Sequence, residues 1–341
     1  MQRYLRHLIL ALAGLALSAG AADASTHDFY KGKVIRIIVG FAAGGGFDTY
    51  ARAIARHMGR HIPGNPTVIV ENMPGAGSLI AANHVYKVAK PDGLTMAHPI
   101  GGVFMSQILG RPGVEFDARK FEYVGVPVKD NPACAFTRAS GITSMEKWFA
   151  AKKPVKIGAV APGSTTDDVP KVLAVAIGVP LQIVSGYKGT SQIRLAAEGG
   201  EVDGGCWGWE SIRATWRKGI ETGEVTAVLQ AGPKPASDIA DVPLIAKFAK
   251  TDEARLLIKI GIMDAAAITR PFVVTPGTPK DRVQLLRKAF LDTLKDPEFL
   301  QEAQKSKLDV DPMSGDELER TIHGLFKLDP KLVAKLKEIL K

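Results

Sequence analysis

Val34-Ile35-Arg36-Ile37-Ile38-Val39-Gly40-Phe41-Ala42-Ala43-Gly44-Gly45-Gly46-Phe47-Asp48 is the stretch that decides how the rest of the chain reads. A short β-branched run breaks into glycines, and an acid opens the helix-like pattern Thr49-Tyr50-Ala51-Arg52-Ala53-Ile54-Ala55-Arg56. This predicts a buried strand, a tight turn and a helix with Asp48 near its N-cap. Glycines leave backbone N–H groups uncovered, and a helix start carries partial positive charge, so such a turn suits a small anion.

The pattern repeats outward. Thr67-Val68-Ile69-Val70 reads as a strand, Glu71 to Ser78 as a turn, and Leu79 to Val88 as a helix. Leu94-Thr95-Met96-Ala97 is a third strand, again followed by a helical run. Strands alternating with helices predict parallel pairing, right-handed crossovers and helices on both faces.

The rhythm changes near Phe121, where Tyr123–Val128 and Ala133–Phe136 are consecutive strand-like runs, and then restarts. Val155–Val160 leads into Gly163-Ser164-Thr165-Thr166 and a helix. Leu181–Val184 leads into Tyr187-Lys188-Gly189 and a helix. Val202-Asp203 leads into Gly204-Gly205-Cys206-Trp207-Gly208-Trp209 and a helix. A second α/β lobe, 123–223, is therefore expected as an insert in a first lobe formed by 25–122 and about 224–341. The tail adds a strand at Pro271-Phe272-Val273-Val274 and helical runs from Pro279 to Leu294 and from Pro297 onward. Each candidate loop follows a strand's C-terminal end, where open α/β sheets bind ligands, and two such sheets facing each other would trap a ligand between them.

Composition bounds the function. The 341 residues suffice for one large or two medium cores, and 46% hydrophobic with 23% charged residues is ordinary for a globular protein. Arg3 and Arg6, the apolar run Leu8–Leu17 and Ala22-Asp23-Ala24 read as a cleavable signal peptide over 1–24, hence an exported protein. The net charge of +9 falls to +8 without that segment, which carries Arg3, Arg6 and Asp23. Such an excess fits an anionic ligand or plain solubility. Scattered basic residues and export argue against nucleic acid. Cys134 and Cys206 both lie in strand-like contexts. Export permits a bridge, but buried free thiols are the expectation, because sequence alone does not bring the two within bonding distance.

With Gly44-Gly45-Gly46-Phe47-Asp48, Glu71-Asn72-Met73-Pro74-Gly75-Ala76-Gly77 and Pro91-Asp92-Gly93 on the page, the chain resembles the Bug family. These are the TctC-type substrate-binding proteins of tripartite tricarboxylate transporters. Gly163-Ser164, Tyr187-Lys188-Gly189, Gly199 to Asp203 and Thr275-Pro276-Gly277-Thr278-Pro279 extend the resemblance over nearly the whole chain after residue 24. It implies a two-lobed periplasmic-binding-protein fold of the Venus-flytrap kind (type II), with a mainly parallel α/β sheet in each lobe. It implies a receptor for a small organic carboxylate, held by backbone N–H groups, hydroxyls and waters rather than by one arginine; a monomer is expected. It implies delivery to a permease of TctA- and TctB-type subunits. Carried over as ligand contacts are Ala43, Gly45, Phe47 and Asp48 from the first lobe, Gly163, Ser164, Thr165 and Thr166 from the second, and Asp203 from the last loop. Two departures stand out. Gly40 occupies a position where the family usually has proline, and Phe47 one where many members have a hydroxyl.

Other features weigh less. Gly44 to Gly46 fit neither a dinucleotide fingerprint nor a P-loop. Tyr187 and Lys188 are candidates for the cleft wall, although a solvated lysine is the commoner fate. Of Trp207 and Trp209, one is expected to stack on a flat ligand or both to pack in the core. His57 and His61 have i, i+4 spacing but lack the glutamate of a zinc-protease motif and any third ligand, so exposed helix histidines are expected and no metal. His98 reads as a packed histidine. No Gly-x-Ser-x-Gly elbow is present, so no catalytic residue and no cofactor are expected. Alternatives to the transport receptor are a ligand-presenting protein for a membrane sensor kinase and, lower, an exported hydrolase using Ser164.

Overall fold

A computed structural model describes residues 28–341; the signal peptide expected over 1–24 lies outside the described residues. The strands are β1 (Val34–Val39), β2 (Thr67–Asn72), β3 (Thr95–His98), β4 (Glu122–Val126), β5 (Pro132–Thr137), β6 (Val155–Ala159), β7 (Leu181–Ser185), β8 (Gly204–Gly208), β9 (Val225–Gln230), β10 (Phe272–Val274) and β11 (Met313–Ser314). They form a six-stranded sheet in the order β11-β4-β10-β3-β1-β2 and a five-stranded sheet in the order β7-β6-β8-β5-β9.

The opening stretch behaves as its pattern dictates. β1 alternates at its exposed start, Val34 and Arg36 out and Ile35 in, then becomes fully buried from Ile37 to Val39. It is flanked by β2 and β3, both parallel to it. In the second sheet β6 pairs in parallel with β7 and β8. These are the pairings of βα units. The other pairings, made by β10, β4 and β11 in the first sheet and by β5 in the second, are antiparallel, so each sheet is mixed.

The crossings between lobes follow from sheet membership. β4 belongs to the first sheet and β5 to the second, so the chain passes over at residues 127–131. The return expected near residue 224 comes later, because β9 pairs with β5 inside the second sheet. The chain rejoins the first sheet only at β10, and this return strand runs beside the outward one: the N–H of Asp130 donates to the carbonyl of Ala266 at 3.2 Å. The final helix, Pro330–Ile339, goes back across, burying Leu336 and Leu340 in the second lobe's core with Phe136, Trp148, Ile157 and Leu173.

Three helices matter for the site: α1 (Gly46–Met58) after β1, α2 (Thr165–Ile177) after β6 and α3 (Thr190–Glu198) after β7. Tyr50, Ala53 and Ile54 bury one face of α1 against the first core, and burying a side chain such as Ile54 is worth about 1.5–3 kcal/mol. Met145, Trp148 and Val172 belong to the other core. Cys134 and Cys206, expected as free thiols, form a disulfide instead. β5 and β8 are antiparallel neighbours, and the register sets the two cysteines directly opposite each other.

Candidate functional site

Both glycine- and hydroxyl-rich turns open on one space between the lobes. Its walls include Gly45, Gly46 and Phe47 from the first lobe, and Ser164, Thr165, Thr166 and Trp207 from the second. The empty space is about 420 Å³ with its mouth included.

The helix starts remain open for a local reason. The N-cap of α1 is Gly45, which has no side chain to fold back on the first turn. The N-cap of α2 is Ser164, but its hydroxyl donates backwards to the Ala161 carbonyl at 2.6 Å and sits 2.9 Å from Thr166 Oγ1. Thr166 Oγ1 in turn accepts from the N–H of Val160 at 3.0 Å. Two of the three hydroxyls therefore brace the turn, and neither helix has a side-chain cap. Helix-start amides without caps are donors awaiting an acceptor.

Asp48 has a different place from the one expected. It is the third residue of α1, buried, and turned away from the cavity into a knot of donors. Its carboxylate accepts from Gly44 N at 2.9 Å, Arg52 Nε at 2.9 Å and Asn72 Nδ2 at 2.9 Å. Burial opposes its ionisation, but the hydrogen bonds from Arg52, Gly44 and Asn72 outweigh that and hold the carboxyl below its ordinary value. Asp48 shapes the turn and does not line the cavity. Gly40, the departure from the family pattern, has a similar explanation: a Cβ there would fall 2.2 Å from Ser78 Oγ, and Ser78 holds the N–H of Ile100.

The remaining expected residues divide. Ala43 and Gly44 are exposed at the mouth. Gly163 lies behind its turn, donating its N–H to Asp168 Oδ1 at 3.0 Å. Tyr187 points its hydroxyl at Glu201, 2.6 Å away, and Lys188 is exposed. Lys188 contributes through its carbonyl, which accepts from Ala42 N across the lobes at 2.9 Å. Ser191 Oγ likewise donates to the Ala43 carbonyl at 3.1 Å, and Arg111 of the first lobe pairs with Asp168 of the second at 3.1 Å. The lobes are closed. Asp203 stands at the opposite, N-terminal end of β8, where its carboxylate accepts from Lys156 N at 2.7 Å. A loop before a strand faces away from the crevice that loops after strands line.

The two tryptophans separate cleanly. Trp207 lines the cavity and stacks on Trp216, ring centres 5.8 Å apart. Trp209 is buried, with its indole N–H on Asp238 at 2.9 Å. His57 and His61, expected on an exposed face, instead meet Glu302 and Asp296, each at 2.8 Å. His98 is packed: Nδ1 lies 2.9 Å from the Pro271 carbonyl, the ring stacks on Phe272, and burial pushes its pKa down to about 3. Among the described residues no group of three or more His, Cys, Asp or Glu is placed to hold a metal ion.

What the sequence reading missed is Arg270, on the return strand just before β10. It is 1% exposed, lines the cavity, and donates from Nε to Asp130 Oδ1 on the outward strand at 2.5 Å. Its guanidinium lies 4.7 Å from the Phe47 ring and 4.9 Å from that of Tyr50. Nη1 has no hydrogen-bond partner in the chain. Ser211 Oγ and Trp207 Nε1, on two other lining residues, are buried and unpartnered as well. Glu210 completes the cluster, accepting from Asn131 N at 3.1 Å. Burial, reinforced by the nearby Asp130, raises Glu210 to about 8. Burial also pushes Asp130 up, against the opposing pull of the adjoining guanidinium. The only hint in the sequence was a lone charge, Arg270, before an apolar strand.

Two mixed α/β sheets, double crossover strands and a cleft lined by post-strand loops define the class: a two-lobed periplasmic-binding-protein fold. Solved structures agree. BugD, described as a periplasmic binding protein, aligns with a TM-score of 0.74 at 23% identity over 91% of this chain and 98% of its own. MatC from Rhodopseudomonas palustris, solved with malate, gives 0.71 at 18% identity over 91% and 99%. Rpa4515 of R. palustris, solved with adipate, gives 0.72 at 20% over 90% and 97%. Residues 50–337 match the tripartite tricarboxylate transporter family receptor, TctC, and the chain belongs to that family of periplasmic solute-binding proteins, which are not enzymes. The UPF0065 protein in the gbd 5' region of Cupriavidus necator is 28% identical over 98% of both chains.

Proposed function

We propose that this protein captures a small organic carboxylate between its lobes and delivers it, closed, to a permease with TctA- and TctB-type subunits. In this reading 1–24 is a signal peptide, and the receptor acts as a monomer in the periplasm. One observation carries the proposal: uncapped helix starts from two different lobes and a buried arginine nitrogen without a partner surround one cavity. Buried donors without acceptors call for an anion with several lone pairs, and a carboxylate supplies them. Malate and adipate, the ligands of the two R. palustris relatives in fold, are of that class.

Thermal-shift screening tests this. A ligand at one hundred times its Kd adds about 2.7 kcal/mol to apparent stability, so a true ligand raises Tm by several degrees. A shift with a sugar or a cation, and with no carboxylate, rejects the proposal.

A further inference from the structure

The cavity has an uneven inventory of charge. Arg270 supplies the only full positive charge among the described residues that line it, and no lysine joins it. Asp130, also in the wall, already takes its Nε. The helix starts are not free of anions either. α1 has Asp48 in its first turn, bonded back to Gly44 N, and α2 has Asp167 and Asp168, the latter bonded to Gly163 N. Those carboxylates already complement the helix dipoles. Their amides can still donate hydrogen bonds, but they offer little further attraction for a second full charge.

Beside a band of serine and threonine hydroxyls, the wall is apolar: Phe41, Phe47, Ile100, Val160 and Trp207. Phe47, second residue of α1, lies directly under the Arg270 guanidinium. One carboxylate placed there is within reach of both Nη1 and the first amides of α1. A second carboxylate on the same ligand would meet aromatic carbon, neutral donors or the Asp130–Glu210 pair, with no second cation in the wall to balance it. Asp130 Oδ2 and Glu210 Oε2 both crowd Gly208, lying 2.6 and 3.1 Å from where its Cβ would be. An unpaired charge in such surroundings is costly.

We propose that Arg270 is a specificity-determining residue that binds the ligand's single carboxylate, and that the cavity selects an uncharged body, so the preferred ligand is a small aliphatic or aryl monocarboxylate. This rests on the carboxylate-receptor reading and narrows it.

Titration calorimetry on the full wild-type protein with carbon-matched pairs decides the class: hexanoate against adipate, and 4-methylbenzoate against terephthalate. The expected result is at least about tenfold tighter binding of the monoacid in one pair. Equal or tighter binding of the diacid in both pairs overturns the proposal while leaving the receptor reading intact. Silence from every acid, with a sugar or cation binding, overturns both. The role of Arg270 is read from Arg270→Met combined with Asp130→Asn, which removes the buried pair together. The monoacid should lose about a hundredfold in affinity, and its neutral amide should bind wild type and variant alike. Wild-type affinity for the monoacid in a folded variant overturns the assignment; if the variant does not fold, the matched pairs on wild type stand as the test.

Discussion

Cys134 and Cys206 are joined directly across β5 and β8, their Cα atoms 4.1 Å apart, and this bond ties the outward strand of the second lobe to the strand that ends at the ligand cavity. The bridge closes a loop of sequence separation 72, for which the chain-entropy relation gives about 4 kcal/mol of stabilisation. The double variant Cys134→Ser, Cys206→Ser should therefore unfold at distinctly lower denaturant with an altered m-value. Equal midpoints with and without a reductant would show that the link adds nothing.

Closure depends on a glycine outside the cavity. A Cβ on Gly102 would lie 2.0 Å from the carbonyl oxygen of Gly163 in the other lobe, and backbone cannot swing aside as a side chain can. Gly102 is the first residue of a helix, where alanine is no worse than glycine. Gly102→Ala should keep Tm within about 1–2 °C of wild type while weakening ligand binding roughly tenfold or more. Scattering should show a larger radius of gyration with ligand present. A variant that closes normally contradicts this packing.

Glu210 should leave a signature in pH. Its folded pKa of about 8 lies above the ordinary 4.5, so the native state holds the proton more tightly than the unfolded chain. Stability is then highest below about pH 4.5 as far as this group is concerned, and it falls as pH rises toward 8 and levels off above. The loss is on the order of a few kcal/mol. Glu210→Gln mimics the protonated form, so the variant should match wild type near pH 5 and exceed it near pH 9. Parallel pH–stability curves for the two proteins would place the proton elsewhere.

The βα units were legible because their signals are local. The run Ile35–Val39, the glycines behind it and the helix spacing after Asp48 sit within one window of sequence. The hydroxyls of Ser164, Thr165 and Thr166 announced a helix start in the same way. Asp48 was misplaced for a subtler reason: an acid at a helix start reads as a free anion or a cap, and only Arg52 and Asn72, folded onto it, show it occupied. The late return to the first lobe was hidden because β9 is strand-like in either sheet, and the choice of partner, β5, is a long-range matter.

The sequence by itself determined the two α/β lobes, the loops that end their strands, and the glycine- and hydroxyl-rich helix starts. These follow from periodicity and from side chains acting on their own backbone. Only the tertiary structure decided the Cys134–Cys206 bond, the exclusion of Asp203 from the cleft, and the meeting of Asp130 with Arg270. Residues 140 positions apart come together there because two crossover strands run side by side. Burial and pairing of charge depend on what the fold brings together, and no spacing along the chain encodes that distance.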